Sequence, residues 1–311
     1  MKILYVRRDI CIADMESICA RLSLLTRAAW RDNLPTTFTR ASVSKMIRLG
    51  ALEGLALRKV PNIKDEYYTR AEALLVRSHE IFDAVEHYRA QGYRVLLPED
   101  DEWPVNLHAL GMQMPQFLFA SGNLSLLNRR CVSVSGSRDI KENTMSIACE
   151  IGEAIARQGL TLVCGGARGV DTAVQRACIE AGGTLILIPA YPCKKYLCQE
   201  YLCSALREGR LLLLCDTWPA EGFSTRRALA RNHIIYALGD AAIAVASRNG
   251  KGGTWHGACD CLLGGYTPVF AVNEPGLDSE GNQALIDLGA KAFERSGDIS
   301  LQLFAEGGMD E

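Results

Sequence analysis

Net charge is almost absent from this 311-residue chain: 34 lysines and arginines against 36 aspartates and glutamates leave −2. Without a global positive field, a polyanion can be held only by a local cationic patch. Long apolar runs are missing too, and none approaches the roughly 20 residues of a membrane span. The opening stretch, MKILYVRRDICIADMES, has too short an apolar run and too much charge for a secretory signal. A cytoplasmic protein with no membrane role is expected. Twelve cysteines contain no C-x-x-C pair. Cys193, Cys198 and Cys203 recur every five residues and so point to different helix faces, while Cys259 and Cys261 flank a single residue. Neither spacing suits zinc, so no metal site is expected and the thiols read as reduced packing groups. Also missing are G-x-G-x-x-G with an acidic residue about 20 positions on, and G-x-x-x-x-G-K-[ST], which excludes the obvious dehydrogenases and P-loop ATPases. No Ser-His-Asp or Cys-His grouping has readable geometry. No catalytic residue and no cofactor are assigned, and the chain is not expected to be an enzyme.

What is present divides in two. Hydrophobic content of 48% and charged content of 23% describe a globular protein long enough for two domains. Residues 1–88 read as a small helical domain: IADMESICARLSLLTRAAW, TRASVSKMIRLGALEGLAL and YTRAEALLVRSHEIFDAVEHYRAQ have apolar positions at helical spacing. Asn33-Leu-Pro35 and Pro61-Asn62 break between them. Its role is not legible. Residues 89–305 change texture, and 306–311 read as a short tail. Apolar runs at 131–135, 160–164, 184–188, 211–215, 241–246 and 267–272 alternate with helical patterns. Such runs imply an α/β domain: a doubly wound, mostly parallel, Rossmann-like sheet covered on both faces. Ligands of such sheets sit at the carboxyl ends of the strands, where strand order reverses.

Four loops are expected on that rim. In SVSGSRDIKENT, Gly136 admits a close backbone, Ser137 can donate a hydroxyl, and Arg138 can grip phosphate oxygens. In CGGARGVDTAVQRA, Gly165, Gly166 and Gly169 surround Arg168 between a strand and a helix, a setting in which backbone N–H groups point at an anion. Asp171 reads as the helix N-cap that organises those amides. Arg168 then either pairs with Asp171 or reaches a phosphate. In RRALARNHII, Arg226, Arg227, Arg231, Asn232 and His233 enter a helix. In ASRNGKGGTWHGA, Arg248, Lys251, Gly252, Gly253 and Thr254 repeat the strand, glycine turn and helix. His233 and His256 read as phosphate or base contacts.

These residues carry a resemblance. GYRVLLPED (92–100), Trp103-Pro104, LFASGNLSLL, SVSGSR, CGGARGVDTAVQRA, RNHII, KGGT and GNQALIDLGAKAF occur in an order that resembles the DprA/Smf DNA-processing proteins. The resemblance covers roughly residues 90–305. It implies an extended Rossmann-like domain that binds single-stranded DNA, forms homodimers and loads a RecA-type recombinase during natural transformation. It also implies a DNA-binding pocket lined by Gly136, Ser137, Arg138, Gly165, Gly166, Gly169, Arg231, Asn232 and Lys251, with Gly253 and Thr254 in the last loop. The chain departs from the family pattern at His233, where arginine is usual. It departs again at Ala228, where an aromatic residue would offer a base-stacking face. The family's tyrosine-proline motif matches at Tyr191-Pro192 or at Tyr196, with Lys194 and Lys195 beside it in either register. No winged-helix tail of the kind many members carry is expected.

Two other readings use the same pocket. One is a sensor of a small nucleotide, which would close around one ligand. The other is a nucleotide phosphoribohydrolase-like protein, whose P-G-G-x-G-T-x-x-E motif is faintly echoed by NGKGGTWHG. There the catalytic carboxylate falls on Gly257, which can neither give nor take a proton.

Overall fold

The computed structural model describes residues 12–26, 35–274, 280–294 and 299–304. It has two compact units, one running to Trp103 and including Met112–Leu118, the other comprising Pro104–Gly111 and the chain from Phe119. In the first unit, helices α1 (Ile12–Leu25), α2 (Arg40–Arg48), α3 (Asp65–Leu75) and α4 (Ser78–Ala90) precede a short strand, β3 (Arg94–Leu96). Two-residue strands β1 (Leu52–Glu53) and β2 (Ala56–Leu57) form a hairpin between α2 and α3. The helical spacing of residues 39–57 is therefore honoured only as far as Arg48. Gly50 then turns the chain in the left-handed region at φ 71°, where a helix cannot continue. The core gathers Leu24, Val43, Met46, Tyr68 and Leu74. Arg77, between α3 and α4, is fully buried and donates to the carbonyls of Ser23 and Thr26, satisfying orphan groups at the end of α1. The expected 306–311 tail lies outside the described residues.

The second unit contains the expected alternation. Strands β4 (Leu118–Gly122), β5 (Cys131–Ser135), β6 (Thr161–Cys164), β7 (Thr184–Leu187), β8 (Leu211–Cys215), β9 (Ala241–Ala244), β10 (Val269–Val272) and β11 (Lys291–Phe293) lie in one sheet. Helices α5 (Glu142–Arg157), α6 (Val170–Glu180), α7 (Cys193–Leu197), α8 (Glu200–Arg207), α9 (Thr225–Leu238), α10 (Gly252–Gly264), α11 (Glu280–Asp287) and α12 (Ile299–Phe304) separate or follow them. Strand order across this part is β11-β10-β9-β5-β6-β7-β8-β4. Only β4 runs antiparallel to its neighbour β8; β8 through β11 otherwise pair in parallel. The runs are apolar throughout because both faces are covered: Leu211 to Leu214 and Ala241 to Ala244 have no exposed surface.

Strand β5 has β6 on one side and β9 on the other, so the chain winds outward one way from β5 to β8 and then starts again at β9. The crevice between β5 and β9 is the topological switch point. Near it, Asn282 of α11 is buried and donates to the carbonyls of Val245 and Val272, pinning the ends of β9 and β10.

Candidate nucleic-acid interface

A crevice of about 440 Å³ opens at the switch point. It is lined by Gly136, Ser137 and Arg138 after β5, Arg168 after β6, Arg231 and Asn232 on α9, and Arg248, Lys251, Gly253, Thr254 and His256 after β9. Arg138, Arg248 and Lys251 are exposed and make no ion pair among the described residues. Helix α10 begins here with Lys251 as its N-cap, no side-chain cap and no acidic residue in its first turn. Its first N–H groups thus receive no side-chain cap, at the positive end of a 13-residue helix whose start lines the crevice. A larger groove of about 1000 Å³ runs over α5 and α6. Its helical arginines are already matched within their own helices, Arg157 with Glu153 and Arg176 with Glu180. Arg138 borders this groove too, whereas the unpaired Arg248 and Lys251 line the switch-point crevice.

The glycine loop after β6 is built differently from its sequence reading. Asp171 is not the N-cap of α6; Gly169 is, at φ 87°. Asp171 sits in the first turn, buried, and its carboxylate accepts from the N–H groups of Gly165 (3.1 Å) and Ala167 (3.2 Å). Those two amides are consumed inside the protein and cannot hold an anion. The glycines make room instead. A Cβ on Gly165 would lie 1.5 Å from Nη1 of Arg231, and one on Gly169 would lie 2.3 Å from the Ser137 carbonyl oxygen. Gly166 packs on the Tyr196 ring, whose hydroxyl donates to the Gly166 carbonyl at 3.2 Å. The buried Tyr196 is thus a support of the loop and not a stacking face.

Arg231 lies beneath this loop with only 5% of its surface exposed, donating from Nη1 to the Ile188 carbonyl at 2.6 Å. Burial pulls its guanidinium below the ordinary value, opposed by the Asp171 carboxylate. Burial likewise pushes Asp171 up, opposed by Arg231 and by the two amide donors. Arg231 is a floor charge of the crevice rather than an open phosphate clamp. Asn232 donates from Nδ2 to the Gly253 carbonyl at 3.0 Å and so fixes the start of α10 against α9. His233 leaves the site. It lies about 200° around the helix from Arg231, with Nε2 3.8 Å from an Asp260 carboxylate oxygen and its ring edge-on to Tyr266.

Arg168 pairs with Asp139 of the neighbouring loop, not with Asp171, and both side chains are exposed. Ser137 donates its hydroxyl to the Asp139 carbonyl at 2.9 Å. Lys194 and Lys195 lie on α7 outside the crevice lining. Lys195 places Nζ 3.6 Å over the Tyr191 ring. Tyr191 stacks on Phe223, with centroids 4.7 Å apart and planes at 18°. Phe223 belongs to none of the motifs, and its place just before an arginine-rich helix is the clue to it in the sequence. The phosphoribohydrolase-like alternative meets an obstacle here, because a Cβ on Gly257 would already lie 2.7 Å from the Tyr236 ring, leaving no space for a carboxylate.

The model of the family described as DNA recombination-mediator protein A matches residues 94–304. The chain belongs to this family. Among its relatives, the DNA processing protein DprA of Bacillus subtilis is 29% identical over 220 residues, covering 70% of this chain and 73% of its own. A Mycobacterium tuberculosis relative is 26% identical over 240 residues, or 70% of this chain. The chain spans 59% of the length of that relative. The fold is that of DprA from Streptococcus pneumoniae, with a TM-score of 0.69 and 23% identity over 94% of this chain and 98% of that one. It also matches DNA processing protein A of Helicobacter pylori, with a TM-score of 0.54 and 22% identity over 64% of this chain and 90% of that one. That structure describes a mode of binding single-stranded DNA.

Proposed function

We propose that this protein binds single-stranded DNA in the switch-point crevice and acts as a DprA-type recombination mediator. The observation that carries the reading is the convergence of unpaired Arg138, Arg248 and Lys251 on the uncapped start of α10. Those groups suit phosphate oxygens, and they stand in a protein whose overall charge is −2, so the cationic patch is local. The Helicobacter relative's single-stranded DNA binding supports the same assignment. Arg138 and Lys251 contact phosphates directly. Arg231 adds charge from below, Asn232 holds α10 in place, and Arg168 joins when it leaves Asp139. Family membership supports the further reading that the DNA-bound protein acts as a homodimer and assists loading of a RecA-type recombinase on incoming strands during natural transformation.

A small-nucleotide sensor is the competing reading, since about 440 Å³ suffices for a nucleotide. One titration separates them. Oligothymidine is compared with nucleoside monophosphates and cyclic nucleotides at fixed salt, with affinity followed against salt concentration. Tight oligothymidine binding with a steep salt slope supports DNA binding. Preference for a mononucleotide with a shallow slope would replace it with the sensor.

A further inference from the structure

We infer that Phe223, backed by Tyr191, is a stacking platform for one nucleobase of the bound strand, a site that rests on the DNA-binding reading above. A single exposed phenylalanine means little on its own. Here three further groups gather around it. Lys195 Nζ is 3.6 Å over the Tyr191 ring, and Phe223 lies 4.7 Å from that ring's centroid in a near-parallel stack. One ring face cannot hold both neighbours at these distances, so Lys195 and Phe223 take opposite faces of Tyr191. Phe223 is 38% exposed, and the Arg138 guanidinium stands over its ring at 6.0 Å from the centroid.

That last spacing is wider than contact. Two flat groups touch at about 3.5 Å, so a base between them needs about 7 Å. Arg138 is exposed and needs to yield by only about an ångström to admit one. The base would then lie between a phenyl ring and a guanidinium, both of which stack on any nucleobase irrespective of sequence. The platform is also held. Arg227 donates to the carbonyl of Gly222 and, at 2.6 Å, to the hydroxyl of Thr217. Ser224 caps α9 by accepting from the Arg227 N–H. Phe223 therefore has a fixed residue on either side. Tyr191 sits just before α7 and brings Lys195 to the far end of the stack, which gives the two lysines outside the crevice a place along a strand leaving it. The aromatic face absent at Ala228 is supplied five residues earlier.

The test uses oligothymidine, an abasic oligonucleotide of equal length, and an oligonucleotide carrying 2-aminopurine, whose fluorescence falls when the base stacks. Wild-type protein is expected to bind both unmodified and abasic strands, the latter more weakly, and to quench 2-aminopurine at one position. Phe223→Ala is expected to weaken oligothymidine binding by about tenfold, within the range for loss of one stacked base, to leave abasic binding unchanged, and to abolish that quenching. Phe223→Trp is expected to restore both. Equal loss on the two strands, or unaltered quenching in Phe223→Ala, would overturn the platform while leaving DNA binding intact. Failure of the wild-type protein to bind either strand would instead remove the DNA-binding reading and the platform with it.

Discussion

The Arg231 guanidinium occupies the space where a side chain on Gly165 would begin, with Nη1 only 1.5 Å from the Cβ position. An arginine and a glycine 66 residues earlier thus form one device: the missing side chain lets a buried cation lie under the loop. Gly165→Ala should force the guanidinium off the Ile188 carbonyl while it stays buried, at a cost of about 1–3 kcal/mol, as for an overpacked core. Denaturant unfolding measures this. Wild-type stability in Gly165→Ala would mean that Arg231 has another low-energy position.

Asp171 should make stability fall with rising pH over part of the acid range. Its folded-state pKa is raised, chiefly by burial, so the native state holds its proton more tightly than the unfolded chain does. The contribution is therefore fully present below the unfolded value of about 3.9 and is lost as pH rises through the raised native value. Asp171→Asn removes the titration. The stability of wild type relative to this variant should decline from about pH 4 upward and then level off. A difference that grows with pH would show that Arg231 and the amide donors outweigh burial.

The alternation of the second unit was legible because fully buried parallel strands leave continuous apolar runs, and all six appear within a residue or two of the expected limits at their starts. The rim position of the four loops followed from that alternation. What each loop residue does there was not legible. The contacts that decide it, Arg231 under Gly165, Asp171 on two amides and Arg168 on Asp139, join segments whose approach depends on the tertiary packing. The failure at His233 has a simpler source. A run of polar residues entering a helix does not make one surface, since about 100° of rotation per residue sends the third member of Arg231-Asn232-His233 to the Asp260 side. Strand β11 escaped because Lys291–Phe293 is only three residues long and two of them are exposed.

Arg138→Ala and Lys251→Ala should each weaken single-stranded DNA binding by about 1–3 kcal/mol, the scale of a charge-assisted contact. Each should also lower the slope of log affinity against log salt by roughly 0.7, the value for one phosphate on a single strand. Fluorescence anisotropy at several salt concentrations gives both quantities. Near-wild-type affinity in the folded double variant would move the DNA path away from the crevice.

Arg168 and Asp139 form an exposed pair, with 76% and 78% of their side-chain surfaces accessible, so holding them together contributes less than about 1 kcal/mol. A backbone phosphodiester offers the same guanidinium one negative charge and two oxygens for a bidentate contact, as the carboxylate does, and so can displace Asp139 at little cost. Asp139→Asn should therefore tighten single-stranded DNA binding and steepen its salt slope by roughly 0.7, while thermal stability barely moves. Removing a negative charge from the crevice would help any polyanion, so the gain alone does not implicate Arg168. The second variant decides. If Arg168 is released onto a phosphate, Arg168→Ala costs more affinity in the Asp139→Asn background than in wild type, where part of its attraction is spent on the carboxylate. If the two substitutions act independently on affinity, Arg168 is a loop tether, and the gain from Asp139→Asn is simple relief of repulsion.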